Sequence, residues 1–127
     1  MSTVLIVDDS KTSRYMLRHI LVENGYEVLD EAENGQEGYE KYCELNPDFV
    51  TLDITMPVMD GLETLVKIKE YDEDAKIIMV TASGQKNKML DAIKLGAADF
   101  VTKPYETSQI ISIMDLSLIH ISEPTRP

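Results

Sequence analysis

Cysteine is nearly absent: Cys43 is the single one in 127 residues. An internal disulfide is excluded, and a reducing compartment such as the cytoplasm fits. Basic residues are also scarce. Lys and Arg number 12 against 23 Asp and Glu, a formal net charge of -11. That balance disfavours contact with nucleic acid or an anionic membrane through bulk charge. It leaves open a basic partner, or a cation held by clustered carboxylates. No apolar run approaches the roughly 20 residues a membrane-spanning helix needs. The start, Met1-Ser2-Thr3, has no basic region ahead of an apolar one, so no signal peptide is read. Repeats and low-complexity linkers are missing too. A chain of this length is expected to be one domain with a real core.

What is present is an alternation. Val4-Leu5-Ile6-Val7, Phe49-Val50-Thr51-Leu52 and Ile77-Ile78-Met79-Val80 are short apolar runs of the kind that form strands buried on both faces. Tyr26 to Ala32 reads as a weaker strand, placed at an edge by its charge. Phe100-Val101-Thr102 reads as a last short strand. Helices are predicted between them. The first follows the N-cap Ser10, with Met16, Leu17, Ile20 and Leu21 as its apolar stripe, and stops at Asn24-Gly25. The second starts at Asn34-Gly35, carries Tyr39, Tyr42 and Cys43 inward and ends at Asn46-Pro47. The third opens at Gly61 with Leu62, Leu65, Val66 and Lys69 on one stripe. The fourth carries Met89, Ala92 and Ile93 and ends at Gly96. The fifth begins after Glu106 with Ile110, Ile111 and Met114 inward. Five strand-then-helix units predict an α/β, doubly wound parallel sheet with helices on both faces.

In such a sheet, ligands bind beyond the carboxyl ends of the strands. Asp8 and Asp9 follow the first strand there, Asp53 ends the third, Thr81 ends the fourth and Lys103 follows the fifth. Taken alone, each has an ordinary reading: a helix cap, a solvated acid, a strand threonine, a surface salt bridge. Together they suit phosphoryl transfer. Three converging carboxylates repel one another, and a hard divalent cation such as Mg²⁺ relieves that conflict through oxygen ligands. The backbone carbonyl of Thr55 is the natural further protein ligand. Lys103 can pair with Asp53 or with a phosphoryl group on it, and the Thr81 hydroxyl can donate to such a group. An aspartate nucleophile gives an acyl phosphate.

Asp8-Asp9, Asp53 with Met56-Pro57 and Asp60-Gly61, Thr81-Ala82 and Lys103-Pro104 closely resemble the receiver domain of two-component response regulators. The resemblance runs from Thr3 to about Met114. Asp53-Ile54-Thr55-Met56-Pro57, with Ser83-Gly84-Gln85 after the fourth strand, looks most like the CheY-type chemotaxis regulators. The resemblance implies a flavodoxin-like fold with strand order 2-1-3-4-5. It implies that Asp53 is the phosphoacceptor, that Asp8 and Asp9 hold Mg²⁺, that Thr81 and Lys103 contact the phosphoryl group, and that Phe100 is the switch aromatic. The implied partners are a sensor histidine kinase and a flagellar motor switch protein or an output domain. Such a domain catalyses its own phosphorylation and dephosphorylation and is not a turnover enzyme. Tyr105 departs from the phenylalanine often found after the lysine-proline pair, and the peptide before Pro104 is a candidate cis bond.

Three rivals share the fold class. A receiver cut from a longer, DNA-binding regulator would look the same over these residues. A flavodoxin-like cofactor binder needs a phosphate loop after the first strand, where this chain has Asp8-Asp9. A phosphatase of the haloacid dehalogenase type needs a second acid two residues after the nucleophile, where Thr55 stands. Residues 116-126 resemble a translated sequencing adapter. The receiver domain is therefore expected over 1-115, with the final helix cut short near Asp115 and a non-native tail over 116-127.

Overall fold

A computed structural model of the chain describes residues 2–56, 58–82, 86–103 and 106–122. Five strands, β1 (Thr3–Val7), β2 (Glu27–Ala32), β3 (Phe49–Asp53), β4 (Ile77–Ala82) and β5 (Asp99–Lys103), alternate with α1 (Lys11–Glu23), α2 (Gly35–Leu45), α3 (Gly61–Tyr71), α4 (Lys86–Lys94) and α5 (Thr107–Ser122). All pairings are parallel, and the sheet order is β2-β1-β3-β4-β5. This is the doubly wound arrangement the alternation predicts.

The buried strands are where the apolar runs are. β3 is buried at every position and β1 from Val4 onward. Alternate side chains feed two separate cores, one on each face of the sheet. Leu5, Val7, Val50, Leu52, Ile77 and Met79 meet Tyr42, Leu65, Ile68 and Ala92 from α2, α3 and α4. Val4, Ile6, Phe49, Ile78 and Val80 meet Leu17, Leu21, Ile110 and Met114 from α1 and α5. β2 is an edge strand, as its charge implies, and it uses that charge: Asp30 pairs with Lys41, and Glu31 with Arg14 and Arg18.

Local signals set the helix ends. Ser10, Asn34 and Asp60 accept the N–H of the residue three ahead, at 3.2, 2.8 and 2.9 Å, satisfying orphan donors of α1, α2 and α3. Asn46 takes the left-handed conformation that closes α2, and Gly25 does the same just past α1.

The helix stripes shift in detail. Met16 is 54% exposed and Ile93 42%, so neither belongs to the core. In α3 the buried residues are Gly61, Thr64, Leu65 and Ile68, and the i+3 step from Leu65 reaches Ile68 where Val66 had been expected to face inward. Helix α5 runs through Ser122, past the Asp115 boundary. Pro57, Ser83-Gly84-Gln85, Pro104 with its candidate cis bond, Tyr105 and Glu123 to Pro127 lie outside the described residues.

Candidate functional site

The sheet order makes β1 and β3 neighbours, so Asp8, one residue past β1, stands beside Asp53 at the end of β3. One carboxylate oxygen each from Asp8, Asp9 and Asp53 lies within 4.8 Å of the others. Their burial differs. Asp8 is 5% and Asp53 8% exposed, whereas Asp9 faces solvent.

Asp8 is held at all four of its polar groups. Its N–H donates to the Ala32 carbonyl at 3.0 Å. Its carbonyl accepts from Arg14 Nη1 at 2.7 Å, Oδ1 accepts the Ser10 N–H at 2.8 Å, and Oδ2 accepts from Lys103 Nζ at 3.1 Å. Lys103 reaches the site from β5, two strands away from β3, and its nitrogen is 3.9 Å from Asp53 Oδ2. The sequence allowed a pairing of Lys103 with Asp53; the shorter contact is to Asp8.

Burial pushes the Asp53 carboxyl up to about 6. The Lys103 charge opposes that rise, the charges of Asp8 and Asp9 add to it, and a hydrogen bond from the Thr55 backbone lowers it. An acid in this condition gains from a cation. Three hard carboxylate oxygens of converging aim fit Mg²⁺ in donor type and charge; Cys43 and the two histidines, which would favour a softer ion, are not among them.

Thr81 is fully buried on β4, one residue past Val80, the register partner of Asp53. Its own register partner is Thr102, next to Lys103. Phe100, two residues earlier on β5, is half-buried against the α2–α4 core. It also lines a groove of about 480 Å³ with Val101, Thr102, Ser108, Gln109, Ser112 and Ile113. The five chemical side chains therefore converge at one pole, and Phe100 lies beside them on the β5 edge. Thr55 is exposed in the loop after β3.

Three residues of the site escaped the sequence reading. Arg14 and Glu31 form an ion pair of 3.0 Å behind Asp8; a pair of arginines four apart on α1, opposite an acidic edge strand, was the available signal. Gly61 was read as a helix start and as part of the Asp60-Gly61 motif, but its packing was not foreseen. It packs so tightly under the site that a Cβ there would sit 2.2 Å from the Asp53 carbonyl oxygen and 2.6 Å from Ile54 Cα. Its N–H donates to the Ile54 carbonyl at 2.6 Å, which closes the loop that follows Asp53.

Residues 4–115 match the family model described as the response regulator receiver domain. The chemotaxis protein CheY of Bacillus subtilis is 49% identical over 115 residues, covering 91% of this chain and 96% of the relative. That of Thermotoga maritima is 48% identical over 112 residues, covering 88% and 93%. A solved CheX-CheY-BeF3-Mg²⁺ complex from Borrelia burgdorferi superposes with a TM-score of 0.88 at 37% identity, covering 92% of this chain and 89% of that one. Among the described residues no helix is long and apolar enough to cross a membrane. With the flavodoxin-like topology, the acidic cluster and these likenesses in agreement, the chain belongs to the response regulator receiver domain family.

Proposed function

We propose that the protein is a CheY-type receiver that takes a phosphoryl group from a sensor histidine kinase onto Asp53 and passes the signal to a chemotaxis output partner. The observation that carries this reading is the convergence of three carboxylates and one amine on a single point at the carboxyl pole. In the proposed step a carboxylate oxygen of Asp53 attacks phosphorus in line with the departing kinase nitrogen, giving an acyl phosphate. Asp8, Asp9, Asp53 and the Thr55 carbonyl would hold Mg²⁺, which when bound neutralises charge on the transferred group. Lys103 supplies a second positive charge from the opposite side. Thr81 donates its hydroxyl to a phosphoryl oxygen.

The acquired group carries ≈ −1.5 to −2 charge. Thr81 is drawn inward by it, and Phe100 turns into the space behind, remaking the surface of α4, β5 and α5. Its partner there is a flagellar motor switch protein or an output domain. It gains only by its differential affinity for the two surfaces. The setting is the cytoplasm, where such kinases present their phosphohistidine. Neither nucleic acid nor membrane is a direct partner of this domain. We take residues 1-115 as the receiver and 116-127 as a foreign tail replacing the natural end of α5.

The test is incubation with a small phosphodonor and Mg²⁺, followed by intact mass and site mapping. A gain of one phosphoryl group on Asp53 is expected, lost without divalent cation and lost in Asp53→Asn. Labelling of that variant at full yield would remove Asp53 from its role.

A further inference from the structure

We propose that Arg14 is a positioning residue for the acidic site, holding Asp8 in the orientation that receives a divalent cation. This rests on the metal reading given above. Arg14 lies on the inner side of α1, with its side chain 11% exposed. Two of its donors point in different directions. Nε meets Glu31 Oε1 at 3.0 Å, and Nη1 meets the main-chain carbonyl of Asp8 at 2.7 Å. A planar guanidinium can serve both at once, which an ammonium cannot.

The contact is made to the backbone and takes up neither carboxylate oxygen of Asp8. Of these, Oδ1 is aimed by the Ser10 N–H. Fixing the carbonyl fixes the peptide between Asp8 and Asp9, and so the direction in which both acids leave the strand.

Glu31 explains how a cation can sit behind a cation site without spoiling it. A bare guanidinium there would repel Mg²⁺. Glu31 offsets part of that charge, and its second oxygen is taken by Arg18 Nε. Burial works to raise the Glu31 carboxyl, but the hydrogen bonds and charges of Arg18 and Arg14 outweigh it and hold it below its usual range. Glu31 therefore stays ionised to lower pH than a free glutamate would. Arg18 touches Glu31 but is more exposed, and among the described contacts it does not reach Asp8. Outer partners that orient metal-binding groups typically change affinity about 10- to 100-fold when removed.

The experiment compares the full chain with Arg14→Met, Arg14→Lys, Arg18→Met and Asp9→Asn. Mg²⁺ affinity is read by calorimetry, the metal-free melting temperature by differential scanning, and hydrogen exchange of the Ser10 amide by NMR. Arg14→Met is expected to weaken Mg²⁺ binding by about tenfold or more and to speed Ser10 exchange. Arg14→Lys should fall between it and the parent. Arg18→Met removes the same charge from the same cluster and should leave both readouts unchanged.

A merely structural arginine would lower the melting temperature while leaving Mg²⁺ affinity and Ser10 exchange at their parent values. That outcome, in Arg14→Met or, if that variant does not fold, in Arg14→Lys, overturns the proposal. Equal weakening by Arg18→Met would assign the effect to loosening of the whole Glu31 cluster, not to the Arg14 contact with Asp8, and overturn it also. If the parent chain binds no Mg²⁺, or Asp9→Asn binds as the parent does, the metal reading fails, and the proposal fails with it as a statement about metal. Ser10 exchange then still decides whether Arg14 holds Asp8.

Discussion

Lys103 Nζ sits 3.1 Å from Asp8 Oδ2, closer than it comes to Asp53. The ammonium thus occupies an oxygen that a divalent cation would need. Repulsion between a +1 and a +2 charge is worth about 1–2 kcal/mol even in a water-like medium. Lys103→Ala is expected to bind Mg²⁺ about tenfold more tightly while its melting temperature stays within a few degrees. Phosphorylation-dependent partner binding should be lost in the same variant. A large loss of stability with normal partner binding would contradict this assignment.

The raised Asp53 carboxyl has a consequence for stability. Its folded value, about 6, lies above the 3.8 of a free aspartate, so the folded state binds the proton more tightly. That contribution is complete below pH 3.8 and is lost as pH rises through 6. That difference corresponds to about 3 kcal/mol. Without metal, Asp53→Asn is expected to melt above the parent at pH 8 and to lose that advantage near pH 4. Adding Mg²⁺ at pH 8 should raise the parent and leave Asp53→Asn nearly unmoved. Parallel melting curves for the two proteins across this range would refute the burial cost.

Gly61→Ala should be severe for its size. The new methyl meets backbone on β3 and its loop, not the end of a flexible side chain, so the loop after Asp53 has to move. A loss of about 3 kcal/mol in urea unfolding is expected, with slower labelling of Asp53. Parent-like unfolding would show that the loop relaxes freely.

Thr51 presents the opposite case. It is 1% exposed, and its hydroxyl has no hydrogen-bond partner among the described residues. Valine has nearly the same shape and no unmet polar group. Thr51→Val is expected to stabilise the fold by about 1–2 kcal/mol, read as a higher midpoint at unchanged m-value. A lower midpoint would mean the hydroxyl is satisfied in solution.

Val58 is 80% exposed and adopts φ 71°, a conformation costly to a β-branched side chain. Val58→Asn, which tolerates it better, is expected to add about 1 kcal/mol. Unchanged melting would show that the loop does not hold this conformation in solution.

The strands and the pole were legible because each apolar run ends in a polar residue, and because parallel order forces those ends together. The caps Ser10 and Asn34 and the stop at Asn46 were legible for equally local reasons. What escaped depends on direction, which spacing does not carry. Nothing in the sequence says that Lys103 prefers Asp8 to Asp53, since both acids lie within its reach. Nothing local says that Ile68 faces in and Val66 does not, since both flank Leu65 in a helix only three turns long. Arg14 was hidden because its partner is a backbone carbonyl, which every residue has.

The sheet has a second pole. Each of α1 to α4 returns to a strand at the amino end, through Asn24-Gly25, Asn46-Pro47, Asp72 to Lys76 and Leu95 to Ala98. No carboxylate of the acidic cluster lies there, and five strand residues, about 15 Å, separate it from the site. Asp74 is exposed at one of these turns. A chain immobilised on a sensor chip through a single cysteine replacing Asp74, with Cys43 changed to serine, would present Asp53, Lys103 and the β5 edge to solution in a uniform attitude. Kinase and output partner could then be flowed over one oriented layer, and their competition or independence read from a single surface.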